Sequence, residues 1–101
     1  MKPLRFTPEA LEETEEIAGY LADRNPEAAL EFVDRLQAEV DLLRRMPELG
    51  HQHPDISVEG VRVVSFGRWS VIYSNLEHEI LVHHLIGAGQ DFRLLSFKQF
   101  D

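Results

Sequence analysis

Apolar and small side chains recur at three- and four-residue steps early in the chain, where Ala10, Leu11, Thr14, Ile17, Ala18 and Leu21 share one helical face. Thr7-Pro8-Glu9 supplies the start, with Thr7 as N-cap and Pro8 at the first helical position, so the pattern predicts a helix from Pro8 to about Asp23. A short extended segment, Leu4-Arg5-Phe6, precedes it. The same punctuation returns at Asn25-Pro26. A second helix is therefore expected from Pro26 onward, with Ala29, Phe32, Val33, Leu36, Val40 and Leu43 forming one buried stripe, and the two helices make an αα-hairpin. Met46-Pro47 ends that helix, and Glu48 to Pro54 is rich in turn residues.

From Gly60 the period changes to two. Val61-Arg62-Val63-Val64, Trp69-Ser70-Val71-Ile72-Tyr73-Ser74 and Ile80-Leu81-Val82-His83-His84-Leu85-Ile86 are β-branched and aromatic runs of strand length. Gly67-Arg68 suits a tight hairpin and Asn75 to Glu79 a longer one, giving an antiparallel meander. After Gly87-Ala88-Gly89, the run Asp91 to Phe97 is expected to form a short C-terminal helix rather than a fourth paired strand. The expected class is α+β, a single domain over residues 1–101 in which the helical hairpin packs on one face of a three- to four-stranded, mainly antiparallel sheet.

Composition narrows the function classes. Ten Lys and Arg stand against 18 Asp and Glu, a net charge of −8, which argues against a surface that coats nucleic acid, and no direct sequence-specific nucleic-acid binding is expected. Most of the acid lies in residues 1–50, where six basic and twelve acidic side chains give −6, against four and six in the second half. Glu9, Glu12, Glu13, Glu15 and Glu16 read as the solvated side of the first helix. There is no apolar run of membrane length, no hydrophobic signal region and no cysteine, so the expected compartment is the cytoplasm.

Candidate chemistry is sparse. His51 and His53 are close in sequence, yet no third ligand at a recognised spacing joins them, so neither a metal nor another cofactor is expected. No phosphate-binding glycine loop precedes a lysine, and no serine sits in a nucleophile elbow. His83 and His84 are adjacent in a strand, which predicts opposite faces for their side chains and no shared site. Arg62, Arg68, Tyr73, His83, His84 and Arg93 are the residue types that could bind a phosphate and move a proton, as RNA cleavage through the 2′-hydroxyl requires. The competing reading makes the arginines solvent-facing and Tyr73 part of the core.

Several local motifs, in this order and spacing, carry a resemblance: Ile17-Ala18-Gly19-Tyr20, Asn25-Pro26-Glu27-Ala28-Ala29 with Phe32, Met46-Pro47-Glu48-Leu49-Gly50, Trp69-Ser70-Val71-Ile72-Tyr73 and Asp91-Phe92-Arg93-Leu94-Leu95. Over nearly its whole length the chain resembles the ParE branch of the RelE/ParE toxin superfamily and its plasmid-stabilisation group. The resemblance implies the toxin of a type II toxin-antitoxin module, causing growth arrest unless bound by a cognate antitoxin. It also implies DNA gyrase as the target, poisoned by contact rather than catalysis, with Arg68, Asp91, Phe92 and Arg93 as target-binding residues and no catalytic residue. Removal of Gln90 onward is then expected to abolish toxicity more readily than folding. Gln90 stands where such chains usually carry a basic residue, and Gly87-Ala88 replaces a histidine-glycine pattern. The RelE branch implies an alternative, ribosome-dependent cleavage of messenger RNA, with Arg62 and Arg68 on phosphate and His83 or His84 with Tyr73 moving protons. A third reading is a degenerate, non-toxic module that still binds antitoxin.

Overall fold

Prolines and two polar caps set out the helical half. The computed structural model describes residues 1–97 and begins with β1 (Leu4–Phe6). Thr7 is extended, and its Oγ1 accepts from the Ala10 N–H at 3.1 Å, starting α1 (Pro8–Arg24). Asn25 closes α1 by donating its N–H to the Leu21 carbonyl, and its side chain accepts from the N–H groups of Glu27 and Ala28 to open α2 (Pro26–Arg45). One residue thus ends one helix and begins the next, which makes the hairpin turn as short as it can be.

Three longer strands follow: β2 (Val61–Phe66), β3 (Trp69–Asn75) and β4 (Ile80–Gly87), then a 3-10 turn at Phe92–Leu94. The sheet order is β1-β4-β3-β2, with β1 parallel to β4 and the other pairs antiparallel. The expected α+β class, helical hairpin and mainly antiparallel sheet are all present; the C-terminal helix is a single 3-10 turn.

The strands are nearly continuous apolar runs because both faces of the sheet are covered. Val71, Ile72 and Tyr73 are consecutive, and each is 0% exposed. On one face, Ala10, Phe32, Leu36 and Leu43 from the helices pack against Val71, Tyr73, Val82 and Leu85. On the other, Val61, Val63, Ile72 and Ile86 are covered by Ile56 from the long loop and by Phe92, Leu95 and Phe97. The sequence pattern assigned a cover to one face only. Two positions in the predicted helical stripes also lie outside the core, since Leu11 is 51% and Val33 49% exposed.

The loop between α2 and β2 is pinned to the sheet by two cross-strand neighbours. Tyr73 and Arg62 are partners in the β2–β3 register. The Tyr73 hydroxyl donates to the Pro47 carbonyl and accepts from the Gly50 N–H, both at 2.8 Å, while Arg62 Nη1 donates to the Gly50 carbonyl at 2.6 Å and the Glu48 carbonyl at 3.2 Å. A Cβ at Gly50 would meet the Tyr73 ring at 2.8 Å and the Val63 carbonyl at 2.9 Å, so only glycine fits. Tyr73→Phe is expected to strand the Gly50 N–H and the Pro47 carbonyl in the interior. The loss should be about 1–3 kcal/mol, measured as a fall in urea midpoint at constant slope.

Candidate functional site

The C-terminal segment presents a small charged turn. Asp91 caps the 3-10 turn, its Oδ1 accepting from the Arg93 N–H at 2.9 Å. The Arg93 guanidinium returns to the same carboxylate, Nε donating to Oδ1 at 2.9 Å and Nη2 to Oδ2 at 2.8 Å. These hydrogen bonds hold the Asp91 carboxyl down at about 2 and push the Arg93 guanidinium above its usual value. Phe92 turns the other way, its ring centroid 4.5 Å from that of His53 and its body on the second core. Arg68 lies exposed on the β2–β3 turn, where Gly67 takes a φ of 59°. Its carbonyl accepts from the Ala88 N–H at 2.8 Å, which ties that turn to the start of the C-terminal segment. Arg68, Asp91, Phe92 and Arg93 therefore sit on two linked turns, with Phe92 facing inward.

The two histidines are not where period-two alternation puts them. Tyr73 pairs with Val82 and Ile72 with His84, so His83 is an extra residue in β4 and the pair forms a β-bulge. Val82 and Leu85 both face the helices, three positions apart, and the intervening histidines both lean to the opposite face. Phe97 meets both rings edge-on, with centroids 5.2 Å from His83 and 5.4 Å from His84. The expectation of opposite faces is corrected, because one extra residue resets the parity of the strand.

Their charges differ because their neighbours do. His83 Nε2 lies 2.8 Å from the Ser74 hydroxyl in a buried site, and burial, reinforced by the positive charge of His84, lowers the His83 imidazole to about 4. For His84, burial acts in the same direction but is outweighed by the hydrogen bonds its ring makes to Glu13 and the Ser96 carbonyl and by the charges of Glu13 and Glu9, so its imidazole rises above the usual value. Sequence reading missed Glu13, placing it among the solvated glutamates. Its position three residues after the buried Ala10, at the margin of the apolar face of α1, was the available signal.

The residues of the ribonuclease alternative do not converge. Tyr73 is fully buried on the helix side, both its oxygen contacts are backbone groups, and burial raises its phenol above the usual value. Arg62 is bound to the Glu48 and Gly50 carbonyls, Arg68 is at the far end of β2, and His84 is on the opposite sheet face. Among the described residues, no group of three or more His, Asp or Glu is placed to hold a metal ion. No described helix is long and apolar enough to cross a membrane.

An open groove of about 460 Å³ runs between α1 and β4, with Ile17, Tyr20, Trp69 and Leu85 as apolar walls and Glu13, Glu16 and Gln90 at its rim. A family model described as ParE toxin of type II toxin-antitoxin system, parDE, matches residues 4–92. The chain belongs to this ParE toxin family. No curated protein matches the chain. Among solved structures, a chain of the chromosomal ParDE TA system from P. aeruginosa is similar in fold, with a TM-score of 0.72 and 23% identity. That alignment covers 87% of this chain and 97% of the other. The match spans every strand and helix of this ParE-family fold and stops at Phe92, at the charged turn.

Two outcomes follow from these charges. Arg93→Ala should let the Asp91 carboxyl rise from about 2 toward its ordinary value of 3.8, read by side-chain carbon-13 titration, with the thermal midpoint unchanged. His83 is depressed, so its contribution to stability is full above the ordinary imidazole value of 6.5 and is lost as pH falls toward about 4, where the unfolded chain binds a proton that the folded chain refuses. Urea unfolding at stepped pH should show that acid-side loss, and His83→Gln should reduce it.

Proposed function

We propose that the chain is the toxin of a type II pair, neutralised by a cognate antitoxin, and that it acts by binding DNA gyrase rather than by catalysis. What supports the reading is family membership over residues 4–92 together with an exposed C-terminal turn that displays Arg93, while the residues of the ribonuclease alternative lie apart. Arg68, Asp91 and Arg93 make the polar contact with the target, and Phe92 sets the turn against the sheet. Arginines on tied turns suit this role, because a preorganised guanidinium loses little freedom on binding.

The groove between α1 and β4 suits an extended antitoxin segment. Its walls are apolar, and on the outer edge of β4 no described strand pairs beyond Val82, where Thr7 and Glu13 take the His83 carbonyl and the Leu85 N–H. Side-chain anchors laid into an apolar groove are a general mode of peptide capture. The glutamates of α1 add favourable charge for a basic segment at the rim, although exposed ion pairs contribute only about 0–1 kcal/mol each.

Removal of Gln90 onward is a poor test of this function, because Phe92, Leu95 and Phe97 cover the second core and would leave with the truncation. Point variants on the exposed turn separate binding from folding. Purified chain without antitoxin should abolish gyrase supercoiling and accumulate cleaved DNA. Arg68→Ala and Arg93→Ala should each raise the concentration needed by about tenfold or more while leaving circular dichroism unchanged. Folded wild-type chain that leaves gyrase untouched at every concentration would overturn the gyrase reading. Unopposed expression without growth arrest would overturn the toxin reading itself.

A further inference from the structure

The His84 ring has an acceptor at each nitrogen. Nδ1 lies 2.9 Å from Glu13 Oε2 and 3.2 Å from Oε1, and Nε2 lies 2.6 Å from the Ser96 carbonyl oxygen. A carboxylate and a carbonyl both lack hydrogens to give, so this geometry is satisfied only when both ring nitrogens carry one. The imidazolium also lies where water cannot replace its partners, the His84 side chain being 9% exposed. Glu13 and Glu9 approach from α1, His83 lies beside it in β4, and the C-terminal segment offers the Ser96 carbonyl and the Phe97 ring. From β3 its register partner is the apolar Ile72.

We propose that Glu13, His84 and the Ser96 carbonyl form a proton-dependent latch that fastens the C-terminal segment over the second sheet face, and that the latch opens when His84 becomes neutral. The neutral ring keeps one hydrogen. Glu13 retains it, because a charged carboxylate is the stronger acceptor and is itself held in place by the Leu85 N–H at 3.0 Å. The Nε2 lone pair then faces the Ser96 oxygen, and that contact turns from attractive to repulsive. The Ser96 end releases while the Glu13 end stays. Phe97, whose ring rests on both histidines, loses its seat with it.

The direction of the pH effect follows from the raised imidazole of His84. Its contribution is fully present below the ordinary value of 6.5 and is lost as pH rises through the elevated one, so the latch is closed on the acid side and open on the alkaline side. For its biological consequence the inference rests on the proposed role of residues 91–93 in target contact, since the latch sets how firmly the segment carrying them is held.

The test follows the full chain by NMR from about pH 6 to about pH 9, reading ring nitrogen-15 shifts of His84 and the cross-peaks between the Phe97 and His84 rings. Expected is a His84 ring protonated on both nitrogens at the acid end, with Phe97–His84 cross-peaks falling at least about twofold at the same midpoint as the ring titration. Glu13→Gln should lower that midpoint by about one unit, a tenfold loss of proton affinity, and carry the Phe97 change with it. A ring that is neutral at about pH 6, or one that titrates while Phe97 stays in place, overturns the latch, and the wild-type titration decides this even if the variant does not fold. Gyrase inhibition measured at both ends of the range separates the two readings. Release of Phe97 with no effect on gyrase at any pH supports the latch and overturns the target assignment, whereas gyrase poisoning with Phe97 fixed does the reverse.

Discussion

Strand β4 is buried on both faces but paired along its outer edge for only three residues, because β1 ends at Phe6. The backbone groups beyond Val82 need partners that are not a strand, and α1 supplies them. Thr7 Oγ1 donates to the His83 carbonyl at 3.0 Å, and Glu13 accepts from the Leu85 N–H. This requirement fixes how α1 crosses the sheet. Thr7 both caps the helix and binds the strand, and Glu13 two turns along reaches the same edge. The helical hairpin is thereby set at a defined distance from β4, and the space left between them is the open groove walled by Ile17, Tyr20, Trp69 and Leu85.

The bulge at His83 and His84 belongs to the same arrangement. An added residue in β4 turns both imidazoles to the second face, where the C-terminal segment needs polar anchors as well as apolar contacts. The pair divides one charge. His83 sits against a hydroxyl, where burial disfavours its charged form, whereas His84 sits against a carboxylate that favours its charged form. A buried ion pair of this kind is weak support for stability alone, since desolvation offsets much of its attraction. Its effect here is directional, because it ties one carbonyl of the C-terminal segment to one edge of the sheet.

The proposed target surface lies on turns rather than in a pocket of reactive groups. The Ala88 to Arg68 hydrogen bond ties the β2–β3 turn to the start of the C-terminal segment, while Tyr73 and Arg62 are committed to backbone carbonyls of the loop after α2. A surface built this way fits recognition of a protein partner, in which preorganised exposed arginines carry the contact. The same fold can host different activities on its sheet, so placement of the side chains, not the architecture, separates the two readings.

How much was legible in the chain depends on the range of the interaction that decides each feature. Caps, prolines and periodicity are local, so Thr7, Asn25, Pro26 and the alternating runs specify the helices and the three long strands in nearly the right places, and the charged turn at Asp91 could be singled out. The parallel pairing of β1 and the commitment of Tyr73 to Gly50 arise between positions 23 or more residues apart, and the cover over the second face between segments joined only through turns, where no local pattern reports them. The bulge is the clearest case. Alternation in Ile80 to Ile86 predicts opposed histidines, and only the pairing with β3 shows that His83 is the extra residue of a bulge. In sequence Glu13 read like its neighbouring glutamates, its place at the margin of the apolar face being the one weak signal. It was set apart when the fold brought an unpaired N–H and an imidazole to within hydrogen-bond reach of its carboxylate.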